Sequence, residues 1–261
     1  MIPRIIHYCW FGRGLMPQSQ RDCIKGWKRL MPDWQFICWD ESNFGVGLCP
    51  YTAEAYREKK WAFVADVARL KALHEMGGVY LDTDVELFAS LELFLNNRLF
   101  SGVEIYHEEF EREGRPLLDV EGKPLEPMTQ IPCCGFLSAV LGAEPGHPLI
   151  SECLQFYLDR KARNDDGTLN SIVIDGVLAA HAVKYGFRYH GNQQMLPEIS
   201  LYPPRLFTYA GVPCTDDAVL FHHTAWSWMP KDRRQRLFLA LDKLHLLKLY
   251  RSIKRALFRK K

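Results

Sequence analysis

Three carboxylates lie at every second position of an otherwise apolar segment, GGVYLDTDVELF, which runs from Gly77 to Phe88. They are Asp82, Asp84 and Glu86. Side chains of a strand alternate between its two faces, so this pattern is typical of a half-buried strand with one solvated side. No Lys or Arg lies between the acids, however, and a divalent cation bound by oxygen ligands would relieve their repulsion. The pattern alone leaves both interpretations open.

A second pair of charged residues precedes this segment on a predicted helix, Trp61–Met76. Asp66 and Arg69 are three residues apart and therefore lie on one side of that helix. They form either a surface ion pair, which contributes little to stability, or part of a site. Two glycines lead the helix directly into the acidic strand, and ligands of open α/β sheets bind at the carboxyl ends of strands. We therefore predict that the helix and the strand end border one crevice.

The segment VLFHHTAWSWMP, residues 219–230, contains two histidines and two tryptophans. His222 and His223 point to opposite faces of an extended segment, so only one of them faces any given site. Its neutral imidazole would complete a metal site made of carboxylates. Trp226 and Trp228 share one face, where they form either a stacking platform for a ring or part of the core.

Hydrophobic periodicity predicts the elements that position these residues. Strands are predicted at Ile2–Phe11, Trp34–Asp40, Gly77–Phe88 and Ile131–Ala143, and helices at about Ser19–Leu30, Trp61–Met76, Leu149–Arg163 and Asp175–Tyr185. The charged, aperiodic segment Glu104–Thr129 is predicted to be a long surface loop, and loops of that length are often functional. Alternation of strands and helices favours an α/β domain with a mostly parallel sheet.

Length and composition limit the class of protein. The chain has 261 residues, 48% of them apolar, which is enough for one large α/β domain or two small ones. No run of about twenty apolar residues predicts a membrane span, and the first residues lack the layout of a signal peptide. The eight cysteines have no regular spacing and are expected to be reduced. We therefore expect a cytoplasmic protein.

Charge is distributed unevenly along the chain. Residues 231–261 hold 12 Lys/Arg and 2 Asp/Glu, whereas residues 1–230 hold 21 basic and 29 acidic side chains. The acidic body argues against nucleic-acid binding. From Leu246 onward the tail is amphipathic, and its polar face is almost purely cationic. It is expected either to pack on the acidic body or to lie on an anionic bilayer surface, which we favour.

Three segments in order resemble glycosyltransferase family 32, the DXD-motif sugar transferases that include yeast initiation-type mannosyltransferases, bacterial capsule enzymes and clostridial glucosylating toxins. They are IPRIIHYCWFG, WAFVADVARLKALHEMGGVYLDTDVELF and HHTAWSW. The resemblance extends roughly over residues 1–230 and is most specific in the middle segment. It implies a GT-A fold, a single Rossmann-like domain with a mixed sheet over residues 1–230, and the charge pattern predicts a basic helical tail after it, over residues 231–261. It also implies a nucleotide-sugar donor and a divalent cation, Mn²⁺ or Mg²⁺.

The resemblance also implies roles for individual residues. Asp84 would bind the metal, and Asp82 would contact the ribose or the sugar of the donor. Asp66 and Arg69 would hold the sugar hydroxyls, so the implied catalytic group is Asp66, Arg69, Asp82 and Asp84. The nucleotide would be bordered by His7, Tyr8 and Trp10, and the metal and diphosphate would be covered by His222 or His223 together with Ser227 and Trp228. Ala65 and the segment Ile174–Val177 depart from the family pattern.

The function that the resemblance implies is transfer of a sugar from a nucleotide-sugar, expected to be a UDP-sugar, to a glycan or lipid-linked glycan. Retention at the anomeric carbon, a place in bacterial surface polysaccharide synthesis and a location on the inner face of the cytoplasmic membrane are further expectations. A catalytically degenerate carbohydrate-binding or scaffold relative is one alternative. A phosphatase of the haloacid dehalogenase type is another, although DTDVE carries Glu86 where that motif has Thr or Val.

Overall fold

The computed structural model describes residues 1–127, 130–170 and 172–224. Its strands are β1 Ile5–Cys9, β2 Gln35–Trp39, β3 Gly78–Leu81, β4 Val85–Leu87, β5 Leu99–Ile105, β6 Cys134–Ala143, β7 Gln194–Met195, β8 Ser200–Tyr202, β9 Phe207–Tyr209 and β10 Leu220–His222. Its α-helices are α1 Gln18–Leu30, α2 Pro50–Arg57, α3 Trp61–Met76, α4 His107–Glu109, α5 Pro148–Leu158 and α6 Ile174–Ala182. The predicted basic C-terminal helix lies outside the described residues. The α/β class is confirmed.

The main sheet has seven strands in the order β2-β1-β3-β6-β5-β8-β7. β1 pairs in parallel with β2 and β3, whereas β6 is antiparallel to both β3 and β5. The sheet is therefore mixed, and the expectation of a mostly parallel sheet was wrong. The described residues between β5 and β6 form only short helical turns, so none of them makes a crossover helix that would bring the chain back for a parallel strand, and β6 runs antiparallel between β3 and β5.

The acidic segment does not form one strand. β3 ends at Leu81 in the main sheet, and β4 begins at Val85 in a separate three-stranded sheet of order β4-β10-β9. A turn over residues 82–84 connects them, in which Val85 N–H donates to the Asp82 carbonyl at 3.0 Å. All four residues of β3 are buried, so the predicted solvated face does not exist. Asp82 and Asp84 instead lie at a break between two sheets.

Helix α3 occupies its predicted range and is buried along most of its length. It ends at Gly77, whose φ of +63° and close approach to Pro145 exclude a side chain, because an added Cβ would lie 2.6 Å from Pro145 Cδ. β3 begins at the next residue, so the helix and the strand end are held in a fixed relation. This short connection places the charged residues of α3 beside the break after β3.

Apolar side chains pack on both faces of the main sheet. Val79 and Leu81 of β3 pack with α1 and the second sheet, whereas Tyr80 packs with α3 and α5 on the opposite face. The predicted loop over residues 104–129 carries the end of β5, α4, a π-helical turn at Phe110–Gly114 and a 3₁₀ turn at Arg115–Leu117. All eight cysteines are free thiols, as expected. No helix among the described residues is long and apolar enough to cross a membrane.

Candidate active site

A cavity of about 880 Å³ opens at the carboxyl ends of β1, β3 and β5, where the amino end of β6 begins. The end of β1 contributes Trp10 and the residues that follow it, and α3 contributes Asp66 and Arg69. The break after β3 contributes Asp82 and Asp84. The cavity thus lies at the sheet edge where ligands of open α/β folds bind, and the predicted common crevice is confirmed.

Asp82, Asp84 and His222 form the one group of potential metal ligands that the structure shows within the described part of the chain. Their ligand atoms all lie within 4.8 Å of one another. His222 Nε2 lies 3.5 Å from Asp84 Oδ1 and 3.9 Å from Asp82 Oδ2. Two carboxylates and one imidazole are a donor set that suits Mn²⁺ or Mg²⁺ better than a thiophilic metal. The residues therefore fit the divalent cation that the sequence resemblance implied.

Electrostatics at His222 agree with a site built for a cation. Burial alone lowers the pKa of this imidazole, but the carboxylates of Asp84 and Asp82 raise it to about 9. Within the described residues, the buried Nδ1 atom has no hydrogen-bond partner. The two carboxylates thus hold a positive charge at this position, and a metal ion would take the place of the imidazole proton.

His223 and Glu86 lie outside this group. His223, the residue after β10, contacts Glu86 Oε2 through Nε2 at 3.0 Å, whereas His222 contacts Asp84. The period-two argument for a single site-facing histidine therefore holds, and His222 is that residue. Of the two histidines that were left open as metal ligands, His222 lies beside Asp82 and Asp84 and His223 does not. Glu86, the third acid of the row, lies in the second sheet, because the turn after Asp82 moves it there.

Asp66 and Arg69 form a buried pair. Their side chains are 3.0 Å apart and only 8% and 5% exposed, which excludes the surface ion pair considered above. Arg69 also lies 3.4 Å from Asp82 and donates to the Ser138 carbonyl at 2.9 Å. Its guanidinium stacks over Tyr80 at 4.3 Å. Arg69 therefore connects α3, β3 and β6 at the base of the cavity.

Burial changes the protonation of the carboxylate that pairs with Arg69. Desolvation raises the pKa of Asp66 to about 7, against the opposing effect of Arg69, and the neighbouring Asp175 and Asp82 add to the increase. Asp175 and Asp82 thus act on Asp66 in the same direction as its burial, and the guanidinium of Arg69 does not offset their combined effect on the pKa.

Two acids in the cavity were not identified from the sequence. Asp175, in the first turn of α6, accepts a hydrogen bond from Ser138 N–H at 3.0 Å. Glu104, near the end of β5, accepts one from the Tyr106 hydroxyl at 3.1 Å, and burial raises its pKa to about 8. The signal for Glu104 is a single acid in the apolar strand LFSGVEI, and that for Asp175 is an acid beside Gly176.

The residues in and just after β1 that were predicted to border the nucleotide do not all reach the cavity. Trp10 lines the cavity, and its indole N–H donates to the Gly14 carbonyl at 2.6 Å. His7 is fully buried between Gly77 and Trp39, so its placement beside the nucleotide was wrong. Tyr8 points to the other face of the sheet. Its ring packs edge-on against Trp27 at 5.9 Å, away from the cavity.

Trp61, at the first turn of α3, lines the cavity and was not predicted. The predicted residues Ser227 and Trp228, together with Trp226, lie outside the described residues.

Residues 17–101 match the family model described as the glycosyltransferase sugar-binding region containing the DXD motif. This range includes Asp66, Arg69, Asp82 and Asp84, the four residues at the base of the cavity. The chain contains a DXD-type glycosyltransferase sugar-binding region. The sequence resemblance is confirmed at the level of the DXD glycosyltransferases.

Curated relatives match the same part of the molecule. The chain is 27% identical over 110 residues to inositol phosphoceramide mannosyltransferase 1 of Schizosaccharomyces pombe, covering 38% of this chain and 33% of that protein. It is 31% identical over 106 residues to inositol phosphoceramide mannosyltransferase 3 of the same organism, covering 36% of this chain and 28% of that protein. The chain thus spans about a third of the length of these curated relatives.

Solved structures of glycosyltransferases match the chain at low sequence identity. The PaToxG glycosyltransferase superposes with a TM-score of 0.48 at 15% identity, covering 71% of this chain and 70% of that chain. The galactosyltransferase LgtC, solved in complex with donor and acceptor sugar analogues, gives a TM-score of 0.46 at 14% identity, covering 92% and 95%.

Proposed function

We propose that this protein is a metal-dependent glycosyltransferase of the GT-A type that transfers a sugar from a nucleotide-sugar to an acceptor hydroxyl. The observation that carries the proposal is the group Asp82, Asp84 and His222, which lies in one cavity with the buried pair Asp66–Arg69. The DXD match, at residues 17–101, independently covers four of these five residues.

Each residue has a distinct task in this proposal. Asp84 and His222 would hold the cation, and the Tyr80 hydroxyl, which donates to Asp82 Oδ1 at 2.8 Å, fixes the orientation of the Asp82 carboxylate beside them. Arg69 and Asp66 bind and orient hydroxyls of the donor sugar. When bound, the divalent cation supplies positive charge that neutralises the departing nucleotide diphosphate.

We further propose a UDP-sugar donor, Mn²⁺ as the cation, retention of anomeric configuration and a glycan or lipid-linked glycan acceptor in bacterial surface polysaccharide synthesis. The names of the fission-yeast relatives specify a sphingolipid acceptor for those proteins, which supports an acceptor at a membrane surface. The basic tail, residues 231–261, would then hold the enzyme on the inner face of the cytoplasmic membrane.

A panel of UDP- and GDP-sugars, each with Mn²⁺, Mg²⁺ or EDTA, tests the proposal. We expect one donor to be hydrolysed slowly in the presence of Mn²⁺, and we expect EDTA to stop that hydrolysis. Binding of a donor without any hydrolysis or transfer would favour the carbohydrate-binding alternative. Hydrolysis that is insensitive to EDTA would contradict the metal-dependent proposal.

A further inference from the structure

Glu104 occupies an unusual position among the carboxylates of the cavity. Asp66, Asp82 and Asp84 lie 3.0, 3.4 and 3.5 Å from the cationic side chains of Arg69 or His222. Asp175 accepts a backbone N–H. Within the described residues, Glu104 has neither a cation at ion-pair distance nor a backbone donor, and its carboxylate accepts one hydrogen bond from the neutral hydroxyl of Tyr106.

Hydrogen bonds hold the backbone beside Glu104 in place, so the fold fixes the direction of the Glu104 side chain toward the cavity. The fully buried Tyr209 on β9 accepts from Ile105 N–H at 2.7 Å and donates to the Ile105 carbonyl at 2.8 Å. The Tyr106 ring packs against Tyr209 at 5.8 Å between centroids. Glu104 and Tyr106, which flank Ile105, therefore project from a strand end that is held by these hydrogen bonds, and this keeps the Glu104 carboxylate in the cavity wall.

The position of Glu104 separates it from the donor-binding pair. Glu104 lies opposite Gly135 at the start of β6, whereas Arg69 contacts β6 at Ser138, three residues further along. A strand rises about 3.3 Å per residue, so these points on β6 are roughly 10 Å apart. Glu104 is not one of the three potential metal ligands, although its carboxylate is close enough to His222 to interact with it electrostatically. One cavity thus has a donor end at Ser138 and a second end at Gly135.

We propose that Glu104, with Tyr106 beside it, forms the acceptor subsite and binds a hydroxyl of the acceptor sugar. When ionised, a carboxylate is a strong acceptor for O–H donors, and when protonated it also donates, so a half-buried one requires hydrogen-bond partners in either state. The ionised form repels a nucleotide diphosphate and neither form offers it a positive charge, which argues against a second phosphate site at this end of the cavity. The ligand class is therefore a neutral polyol, a sugar of the acceptor glycan.

This inference rests on the proposed function, and its test separates the two. Full-length native protein and Glu104→Gln are compared with the donor that the panel identifies. The probes are methyl glycosides of mannose, glucose and galactose as acceptors. Sugar transfer to each glycoside and donor hydrolysis in its absence are measured in parallel. Glu108→Gln, an exposed acid on the same segment outside the cavity, is the matched control.

The pH of the assay matters, because burial raises the pKa of Glu104 to about 8. Measurements are made on the alkaline side of that pKa, so that the native side chain is ionised and the substitution by Gln removes a charge.

For Glu104→Gln we expect the KM for the glycoside to rise about tenfold or more, because a hydrogen bond to a charged group is lost. Hydrolysis without acceptor and the KM for the donor change much less than the KM for the glycoside does, because Glu104 has no cation at ion-pair distance within the described part of the chain. Tyr106→Phe, which removes the hydroxyl that orients the carboxylate, gives a smaller increase in the same KM. Glu108→Gln behaves as the native protein does.

Three outcomes would overturn the assignment. An unchanged glycoside KM in Glu104→Gln would show that the carboxylate does not bind the acceptor. Equal loss of hydrolysis and transfer would place Glu104 in the donor site. If the native protein hydrolyses the donor but transfers sugar to none of the three glycosides, this end of the cavity is not a sugar subsite. Absence of donor hydrolysis in the native protein would instead reject the proposed function itself.

Discussion

Arg69 is the residue on which the charge balance of the cavity depends. It lies within 3.4 Å of two carboxylates and is bound to the backbone of β6 as well. A buried cation shared in this way orients the acids, but it leaves net negative charge in the cavity. The group Asp82, Asp84 and His222 and the pair Asp66–Arg69 are therefore electrostatically connected, and we expect single substitutions among them to have distinguishable effects.

Asp84→Asn should reduce turnover at least about a hundredfold, because the cation loses a charged ligand and the charge on the leaving group is no longer neutralised. Donor hydrolysis is measured against Mn²⁺ concentration, with thermal unfolding as the check on the fold. Glu86→Gln is the matched control, since Glu86 lies two positions away but contacts His223 instead. Near-native turnover of Asp84→Asn in Mn²⁺ would contradict the metal site. Asp82→Asn should be nearly as damaging through donor binding.

Arg69→Ala should lower both donor affinity and stability. Donor KM or turnover is expected to worsen by about tenfold or more. The free energy of unfolding should fall by about 3 kcal/mol, because Asp66 is left buried without its counter-charge. Steady-state kinetics and urea unfolding measure the two effects, and Arg69→Lys retains the charge as a control. A large loss of stability with native kinetics would show that the pair is purely structural.

At the scale of elements, His7 holds β1 in place and is not exposed to a ligand. His7 Nε2 donates to the Gly77 carbonyl at 2.8 Å, and Nδ1 accepts from the indole N–H of Trp39 at 3.1 Å. One neutral tautomer thus connects β1 to the end of α3 and to β2. Protonation of Nδ1 would break the contact with Trp39.

This arrangement predicts acid sensitivity of the fold. Burial lowers the pKa of His7 below 6.5, with the Gly77 carbonyl partly opposing the shift. As the pH falls below 6.5, the unfolded state binds the proton first, so the free energy of unfolding decreases with falling pH until the native pKa is reached.

Urea unfolding between about pH 5 and pH 7 should show this slope, and His7→Gln should flatten it. The exposed His107→Gln should leave it unchanged. His147 is also buried with a lowered pKa, so some slope remains in His7→Gln. An unchanged slope in His7→Gln would reject the role of this histidine.

At the scale of the whole molecule, the body and the tail carry opposite net charges, and we expect them to meet different partners. Residues 1–230 carry a net charge of −8, and residues 231–261 carry +10. An acidic body repels both a nucleotide diphosphate and an anionic bilayer. The cation would overcome the first repulsion, and the basic tail is predicted to overcome the second.

The tail prediction is tested with vesicles. We expect the full-length protein to sediment with anionic phosphatidylserine-containing vesicles at low salt and to be released by salt, since each Lys or Arg near the surface adds about 1 kcal/mol. A chain that ends at Pro230 should remain in the supernatant. The matched full-length control replaces Lys248, Arg251, Arg255 and Arg259 by Glu. Equal sedimentation of all three proteins would show that the tail does not bind membranes.

The sequence alone determined the elements whose signals are local. Helix α3 was predicted to the residue, because its apolar periodicity and its glycine stop both lie within the continuous segment Trp61–Gly77. The residue pattern left the DXD segment and Asp66–Arg69 open to a structural or a functional interpretation, and the family resemblance, which is most specific in this continuous stretch, implied the site. Opposite orientations of His222 and His223 also follow directly from strand geometry.

The tertiary structure decided whatever depends on residues distant in the chain. Asp82 and Asp84 lie at a break between two sheets because β10, which comes much later in the chain, pairs with β4. That same pairing selects His222 for the metal group and moves Glu86 away from it. The burial of His7 and the entry of Glu104 and Asp175 into the cavity likewise arise from contacts across strands and helices. Local pattern specifies which face a side chain takes, but only long-range packing specifies what that face meets.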